Sequence, residues 1–271
     1  MIVLVILIIL LLLAGLYVLS TACGKAHPGL DKFRGRYFAH RGLHGNGVPE
    51  NSMEAFRRAR ENNYGIELDV HLMSDGKLAV MHDASLLRTA GADVRIEDLT
   101  ADRLTEYFLE GTMQTIPLFT DVLQLIDGRV PLIVELKTED NNYDALCRTV
   151  SEVLENYNGI FCLESFDPRC IYWMKKNRPE WIRGQLTENF LKAKKSKIPW
   201  ILRFAVTFQV LNFLIRPHFV AYRFRDRKHI SNFLTEKLWK TQSVTWTLND
   251  KGDFDAAVSE GRIPIFEDFR P

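Results

Sequence analysis

Cysteine is scarce in this 271-residue chain: Cys23, Cys147, Cys162 and Cys170 form neither a CxxC pair nor the spacing of a disulfide framework. That excludes a small disulfide-stapled fold and fits reduced thiols. Charge is missing from the N-terminal stretch, since Met1 to Leu19 is almost wholly apolar and no basic residue precedes it. A cleaved secretory signal opens with a basic region, so its absence argues against one. Leu19-Ser20-Thr21-Ala22-Cys23 hints at a lipidation site, but the leucine stands one place too early. At about 1.5 Å per residue the apolar stretch crosses most of a hydrocarbon core. It is expected to be a single transmembrane helix, with an anchor over residues 1–22 and a linker over 23–35. Lys25, Lys32, Arg34 and Arg36 come after it, so the positive-inside tendency predicts a single-pass cell-membrane protein with its C-terminal part in the cytoplasm. Basic and acidic residues nearly balance, for a net charge of +1, and no nucleic-acid partner is expected.

Residues 36–271, beyond the anchor and linker, suit one barrel-sized domain. Short apolar runs alternate with helical stretches, the pattern of a parallel α/β barrel. The strands expected are Tyr37 to His40, Gly65 to Val70, Leu132 to Leu136, Gly159 to Glu164, Ile182 to Leu186, Phe219 to Tyr222, Ser243 to Thr247 and Ile263 to Phe266. The chemistry concentrates between Phe38 and Thr89, where two histidines bracket a pair of acids. Ala39-His40-Arg41-Gly42 comes first, then Glu67-Leu68-Asp69-Val70, then Met81-His82-Asp83. A strand over Gly65 to Val70 projects Glu67 and Asp69 to the same face. Alternation of this kind ordinarily marks a solvent face. A second acid at the end of a buried-looking strand shifts the balance: Leu132-Ile133-Val134-Glu135-Leu136-Lys137 puts Glu135 and Lys137 on one face, as a site or as an internal ion pair.

These residues carry a resemblance to the glycerophosphodiester phosphodiesterase family. The matching segments, in order, are His40-Arg41-Gly42, Pro49-Glu50-Asn51-Ser52, Glu67-Leu68-Asp69-Val70, Asp75-Gly76, His82-Asp83, Leu87-Arg88-Thr89, Glu135-Leu136-Lys137, Ser165-Phe166 and Trp246-Thr247-Leu248-Asn249. The resemblance implies a TIM (β/α)8 barrel with a small insertion over residues 72–117, after the second strand. It implies a metal site of Glu67, Asp69 and Glu135 for one divalent cation, Mg²⁺ or Ca²⁺, an assignment that suits an all-oxygen donor set. It further implies His40 and His82 as general acid and base in either order, and Arg41, Lys137 and Trp246 as substrate-binding groups. Ser165 falls at a strand end beside them. Asn51-Ser52-Met53-Glu54 reads as a capped helix start. Glu50 is expected to order its loop, and Asp83 and Arg88 to support the loop of His82.

The reaction implied is hydrolysis of a glycerophosphodiester to glycerol 3-phosphate and an alcohol, through a cyclic phosphate or by direct attack of water. A lysophospholipase D-like activity on membrane lysophospholipid is the alternative. A catalytically silent scaffold is a third reading, disfavoured because every metal and histidine position is kept. Two stretches depart from the family pattern: Gln185 to Phe219, and the irregular Ile263-Pro264-Ile265-Phe266-Glu267-Asp268. Within the first, Lys192, Lys194, Lys195 and Lys197 lead into Ile198-Pro199-Trp200-Ile201-Leu202. A basic cluster feeding an apolar, aromatic run suits a membrane-lipid surface, and a buried barrel helix suits it equally.

Overall fold

The computed structural model describes residues 1–192 and 199–271. Among these the strands are β1 (Phe38–Ala39), β2 (Gly65–Leu72), β3 (Leu78–Val80), β4 (Leu132–Leu136), β5 (Phe161–Ser165), β6 (Arg183–Thr187), β7 (Phe219–Arg223), β8 (Gln242–Leu248) and β9 (Ile263–Phe266). They form one sheet of nine strands. β3 alone pairs antiparallel, as a hairpin on β2 that turns at Asp75-Gly76, where Gly76 takes a φ of +78°. The others run parallel, and β1 pairs with both β9 and β2, so the sheet closes on itself as a TIM barrel. Each expected strand is present, with ends shifted by at most two residues.

Why the barrel closes is visible in β4. Leu132, Val134 and Leu136 pack outward beneath the helices, while Ile133 and Glu135 face the interior. The interior is therefore layered. Its lower part is apolar, with Phe38, Ile133, Cys162, Phe219 and Ile265, and its upper part at the C-terminal strand ends is acidic. Leu30 and Phe33 belong to the apolar layer, with Phe33 stacked on Phe38 at 5.7 Å between ring centres. Leu30 and Phe33 thus tie the segment 23–35 to the barrel floor, and Cys23 at its start and Thr21 and Ala22 just before it are buried too. The segment between β2 and the helix Phe119–Ile126 has its own small core around Met81, Leu86, Leu99 and Leu104. Ser52 caps the helix Met53–Glu61 by accepting from the Ala55 amide at 3.2 Å.

The N-terminal helix Ile2–Ser20 is apolar throughout and none of it is buried, so by length and composition it can cross a membrane. In the departing stretch, Trp200–Thr207 is a short helix whose Val206 and Thr207 are buried while Trp200 and Ile201 are exposed. It is half packed and half open, between the two readings. Of the expected basic cluster, Lys194, Lys195 and Lys197 lie outside the described residues. Lys192 is bonded to Asp226 at 2.6 Å, so it is not a lysine free for lipid head groups.

Gly184 of β6 leaves the space that Phe219 fills: a Cβ built there would stand 2.1 Å from the Phe219 ring. Gly184→Ala should therefore overpack the barrel floor and lower stability by about 1–3 kcal/mol. Urea unfolding of the detergent-solubilised protein, followed by tryptophan fluorescence, measures this; an unchanged midpoint would show that the floor has room to yield.

Candidate active site

β2 and β4 lie side by side with Asp69 opposite Glu135, and β5 continues the row with Glu164 opposite Glu135. Register and alternation thus bring Glu67, Asp69 and Glu135 together at the barrel mouth, all buried, with one oxygen from each within 4.8 Å of the others. Lys137, just past β4, sets its ammonium 3.0 Å from Asp69 and 2.8 Å from Glu135. Arg41, at a φ of +53°, donates its amide to Glu67 at 3.0 Å, directs its guanidinium to Glu50 at 2.8 Å and lies 3.7 Å from Asp69. Asn51 adds a bond to Asp69 at 2.8 Å.

The electrostatics of the cluster bear on which ligand it could hold. Glu67, Asp69, Glu135 and Glu164 are four buried carboxylates. Arg41 and Lys137 are the two cations against them. Fully ionised, the four would exceed the two, so a divalent cation would favour the ionised form of carboxyls that burial otherwise holds protonated. Burial, reinforced by Asp69 and Glu135, pushes the Glu67 carboxyl far above its ordinary range. Glu164 is raised by burial and by the charges of Glu135 and Asp69. Burial lifts Glu135 to about 7, although Lys137 pulls the other way. Asp69 runs opposite, held low against its burial by Lys137, His82 and Arg41. One oxygen of Glu164 has no hydrogen-bond partner among the described residues. A buried all-oxygen donor set short of positive charge fits Mg²⁺ or Ca²⁺, and fits zinc poorly.

The two histidines flank this cluster. His40 Nε2 stands 3.9 Å from Glu67, while its Nδ1 is bonded to Glu267 at 3.1 Å. His82 Nδ1 is bonded to Asp83 at 2.6 Å, and Asp83 in turn accepts from Arg88 at 2.5 Å. A carboxylate at Nδ1 draws the proton there and leaves Nε2 with its lone pair, the tautomer acid/base work requires. Burial holds the His82 pKa below its ordinary value, with Asp69 opposing. His71, wholly buried, meets Glu97 and the His82 carbonyl and so pins that loop. His82, Glu135, Lys137 and Phe166 line an open cleft of about 330 Å³. Trp246 sits at the end of β8, half-buried and edge-on to Phe166 at 5.7 Å.

The residues expected at the site therefore converge, with differences of role. Ser165 bridges strands, donating to the Leu136 carbonyl at 2.7 Å. Glu50 orders its loop as expected, clamped between Arg41 and Arg88. Asn51 does more than shape a helix start, because its amide holds a carboxylate of the cluster. Sequence reading missed Glu164, Glu267 and His44. Glu164 was legible by alternation from Cys162 on β5, and Glu267 as the residue just beyond the last strand. His44, which bonds Glu267 at 2.9 Å, carried no signal of its own.

A closed parallel barrel with a buried carboxylate cluster and flanking histidines at its C-terminal mouth defines a class of TIM-barrel protein whose site could hold a divalent cation. Within that class, the chain belongs to the glycerophosphoryl diester phosphodiesterase family, which it matches over residues 40–269. Among relatives, a glycerophosphodiester phosphodiesterase of Bacillus altitudinis is 38% identical over 131 residues, 45% of this chain and 53% of that protein. A human lysophospholipase D is 30% identical over 141 residues, 47% of this chain and 43% of the other. The chain spans about half the length of the curated relatives it matches. Its fold is shared with an Oleispira antarctica phosphodiesterase solved with its product sn-glycerol-3-phosphate, at a TM-score of 0.71 and 21% identity over 86% of this chain and 93% of that one.

The contact of Glu267 with His40 and His44 makes a pH-dependent contribution to stability. These histidines hold the Glu267 carboxyl far below its ordinary 4.5 despite partial burial, so that part is present above 4.5 and lost as pH falls. His44 is raised above 6.5 by Glu267 against the pull of burial, so its part is present below 6.5 and lost as pH rises through the shifted value. The melting-temperature deficit of Glu267→Gln should accordingly be widest between about pH 4.5 and 6.5, and shrink on both sides. A deficit flat with pH in differential scanning calorimetry would mean that packing, not charge, holds Glu267.

Proposed function

We propose that this protein hydrolyses glycerophosphodiesters to glycerol 3-phosphate and an alcohol, with a divalent cation held by Glu67, Asp69 and Glu135 and with His40 and His82 as acid and base. The observation that carries this reading is the buried carboxylate cluster of Glu67, Asp69 and Glu135 between two histidines, each backed by a carboxylate at Nδ1. When bound, the cation would polarise the phosphodiester and offset charge on the departing oxygen. Arg41 offers a planar fork to phosphate oxygens and Lys137 a point charge. Glu267 and Asp83 each stabilise the imidazolium formed when their histidine takes a proton. Trp246 and Phe166 provide an apolar wall for the glycerol carbons. Hydrolysis of membrane lysophospholipids is a second reading on the same residues, favoured by the exposed apolar side chains Trp200, Ile201 and Phe204. In either case the N-terminal helix would serve as a single-pass anchor, with the barrel on the cytoplasmic side.

Glu67→Ala, Asp69→Ala and Glu135→Ala should each abolish turnover of glycerophosphocholine and glycerophosphoethanolamine while the fold survives. His40→Ala and His82→Ala should cut it by about 10²-fold or more with metal binding retained. Release of glycerol 3-phosphate is the readout, with and without chelator. Full activity in excess chelator, or undiminished activity in the carboxylate variants, would remove the metal assignment. A histidine variant that loses metal but keeps residual turnover would recast that histidine as a ligand.

A further inference from the structure

The N-terminal helix meets the barrel along the outer face of β7, and the order of its contacts gives its direction. Tyr17 lies edge-on to Phe208 at 6.0 Å, and Phe208 packs on His229, the residue that begins the helix above β7. Cys23 packs against Val220 and Tyr222, in the body of β7. Gly24 donates its amide to the carbonyl of Pro217, before β7 begins, and Arg216 reaches the Cys23 carbonyl at 3.2 Å. From Tyr17 to Gly24 the contacts thus descend from the C-terminal end of β7 to its N-terminal end. The helix runs antiparallel to β7, so its exposed part, Met1 to Leu16, projects past the C-terminal strand ends. That is the end at which Glu67, Asp69 and Glu135 stand. Sixteen helical residues reach ~24 Å beyond it, most of the ~30 Å of a hydrocarbon core.

A second feature points the same way. After β6 the chain descends from Val206, whose carbonyl accepts from Thr187 at the top of that strand, to Arg216, whose carbonyl accepts from Arg183 at its base. Arg203 of the helix Trp200–Thr207 donates to the carbonyl of Phe190, which packs edge-on to Phe166 of the cleft, so this helix lies at the mouth end, with Trp200 71% and Ile201 65% exposed. Phe204 stacks on Phe208 at 4.4 Å, which joins this helix to the base of the N-terminal one. Across the mouth, in the loop after His82, Leu87 is 58% exposed. An uncharged apolar helix and a rim of aromatic and aliphatic side chains on one end of a protein match a bilayer and its interface, where tryptophan is favoured.

We infer that the barrel is held with its catalytic mouth turned toward the bilayer, and that its substrate is a phosphodiester borne by a membrane glycerophospholipid, such as a lysophospholipid, entering from the lipid side. The inference rests on the phosphodiesterase reading of the same site. It adds an orientation that the reading does not require: an anchor leaving from the opposite end would keep the mouth in water.

The test uses the full chain in vesicles of phosphatidylcholine and phosphatidylglycerol. A fluorophore is attached at Leu87→Cys, at Trp200→Cys or at Arg129→Cys, the last at the opposite end between the helix Phe119–Ile126 and β4. The four native cysteines are buried. Lipids spin-labelled near the head group should quench the first two probes about threefold more than the third. In a second arm, Trp200→Asp with Ile201→Asp should lower turnover of lysophosphatidylethanolamine in vesicles about tenfold and that of soluble glycerophosphoethanolamine by less than about twofold. Equal quenching at all three positions, stronger quenching at Arg129→Cys, or recovery of the chain in the aqueous fraction without its N-terminal helix would overturn the orientation. An equal fall on both substrates would overturn the lipid entry route. If the parent protein hydrolyses neither substrate, the phosphodiesterase reading itself falls, and the quenching arm still decides which way the mouth faces.

Discussion

The rest of this structure depends on four carboxylates buried together at one end of a barrel, answered among the described residues by Arg41, Lys137 and, at Asp69, His82. Burying charge without partners is costly, and stripping one partner from a buried pair typically costs about 3–5 kcal/mol. The surrounding sequence is arranged around that cost. Arg41 adopts a left-handed backbone that turns its amide to Glu67 while its side chain reaches Glu50. Asn51, also left-handed at a φ of +52°, commits its side-chain amide to Asp69. Lys137 bridges Asp69 and Glu135 across neighbouring strands. The apolar floor beneath supplies the burial that a network of this polarity cannot provide for itself.

The same logic governs the histidines, whose orientation is set by groups drawn from distant parts of the chain. Glu267, after the last strand, and Asp83, in the insertion, each stand behind one imidazole. Arg88 then ties Asp83 to Glu50, which is bonded to Arg41, so the two sides of the mouth are mechanically connected. A substitution at Arg88 would be felt at His82 through Asp83 and at Arg41 through Glu50 without touching either residue.

Much of this arrangement is legible in the sequence. The β2 acids are readable from strict alternation, and Glu135 with Lys137 from a short apolar run ending in charge. Family motifs then supply the eight-strand count that periodicity alone leaves uncertain. The features that escape are those that depend on closure. Glu267 sits 227 residues from His40, and nothing local links them. Alternation can turn Glu164 inward, but its neighbour in register, Glu135, is set by strand pairing rather than by spacing. The packing of Leu30 and Phe33 is hidden for the same reason: a short polar segment with two large apolar residues reads as linker until the barrel floor they cover exists.

Closure also has a consequence in time. β1 finds one of its neighbours only when Ile265 and Phe266 are available, and the Nδ1 partner of His40 lies one residue further on. A chain still on the ribosome presents the helix Ile2–Ser20 and then His40, yet His40 lacks its carboxylate until β9 has been made. Domains fold largely as units during synthesis, and pairings this distant form late. Within residues 1–271 the helix Ile2–Ser20 therefore emerges well before His40 can meet Glu267.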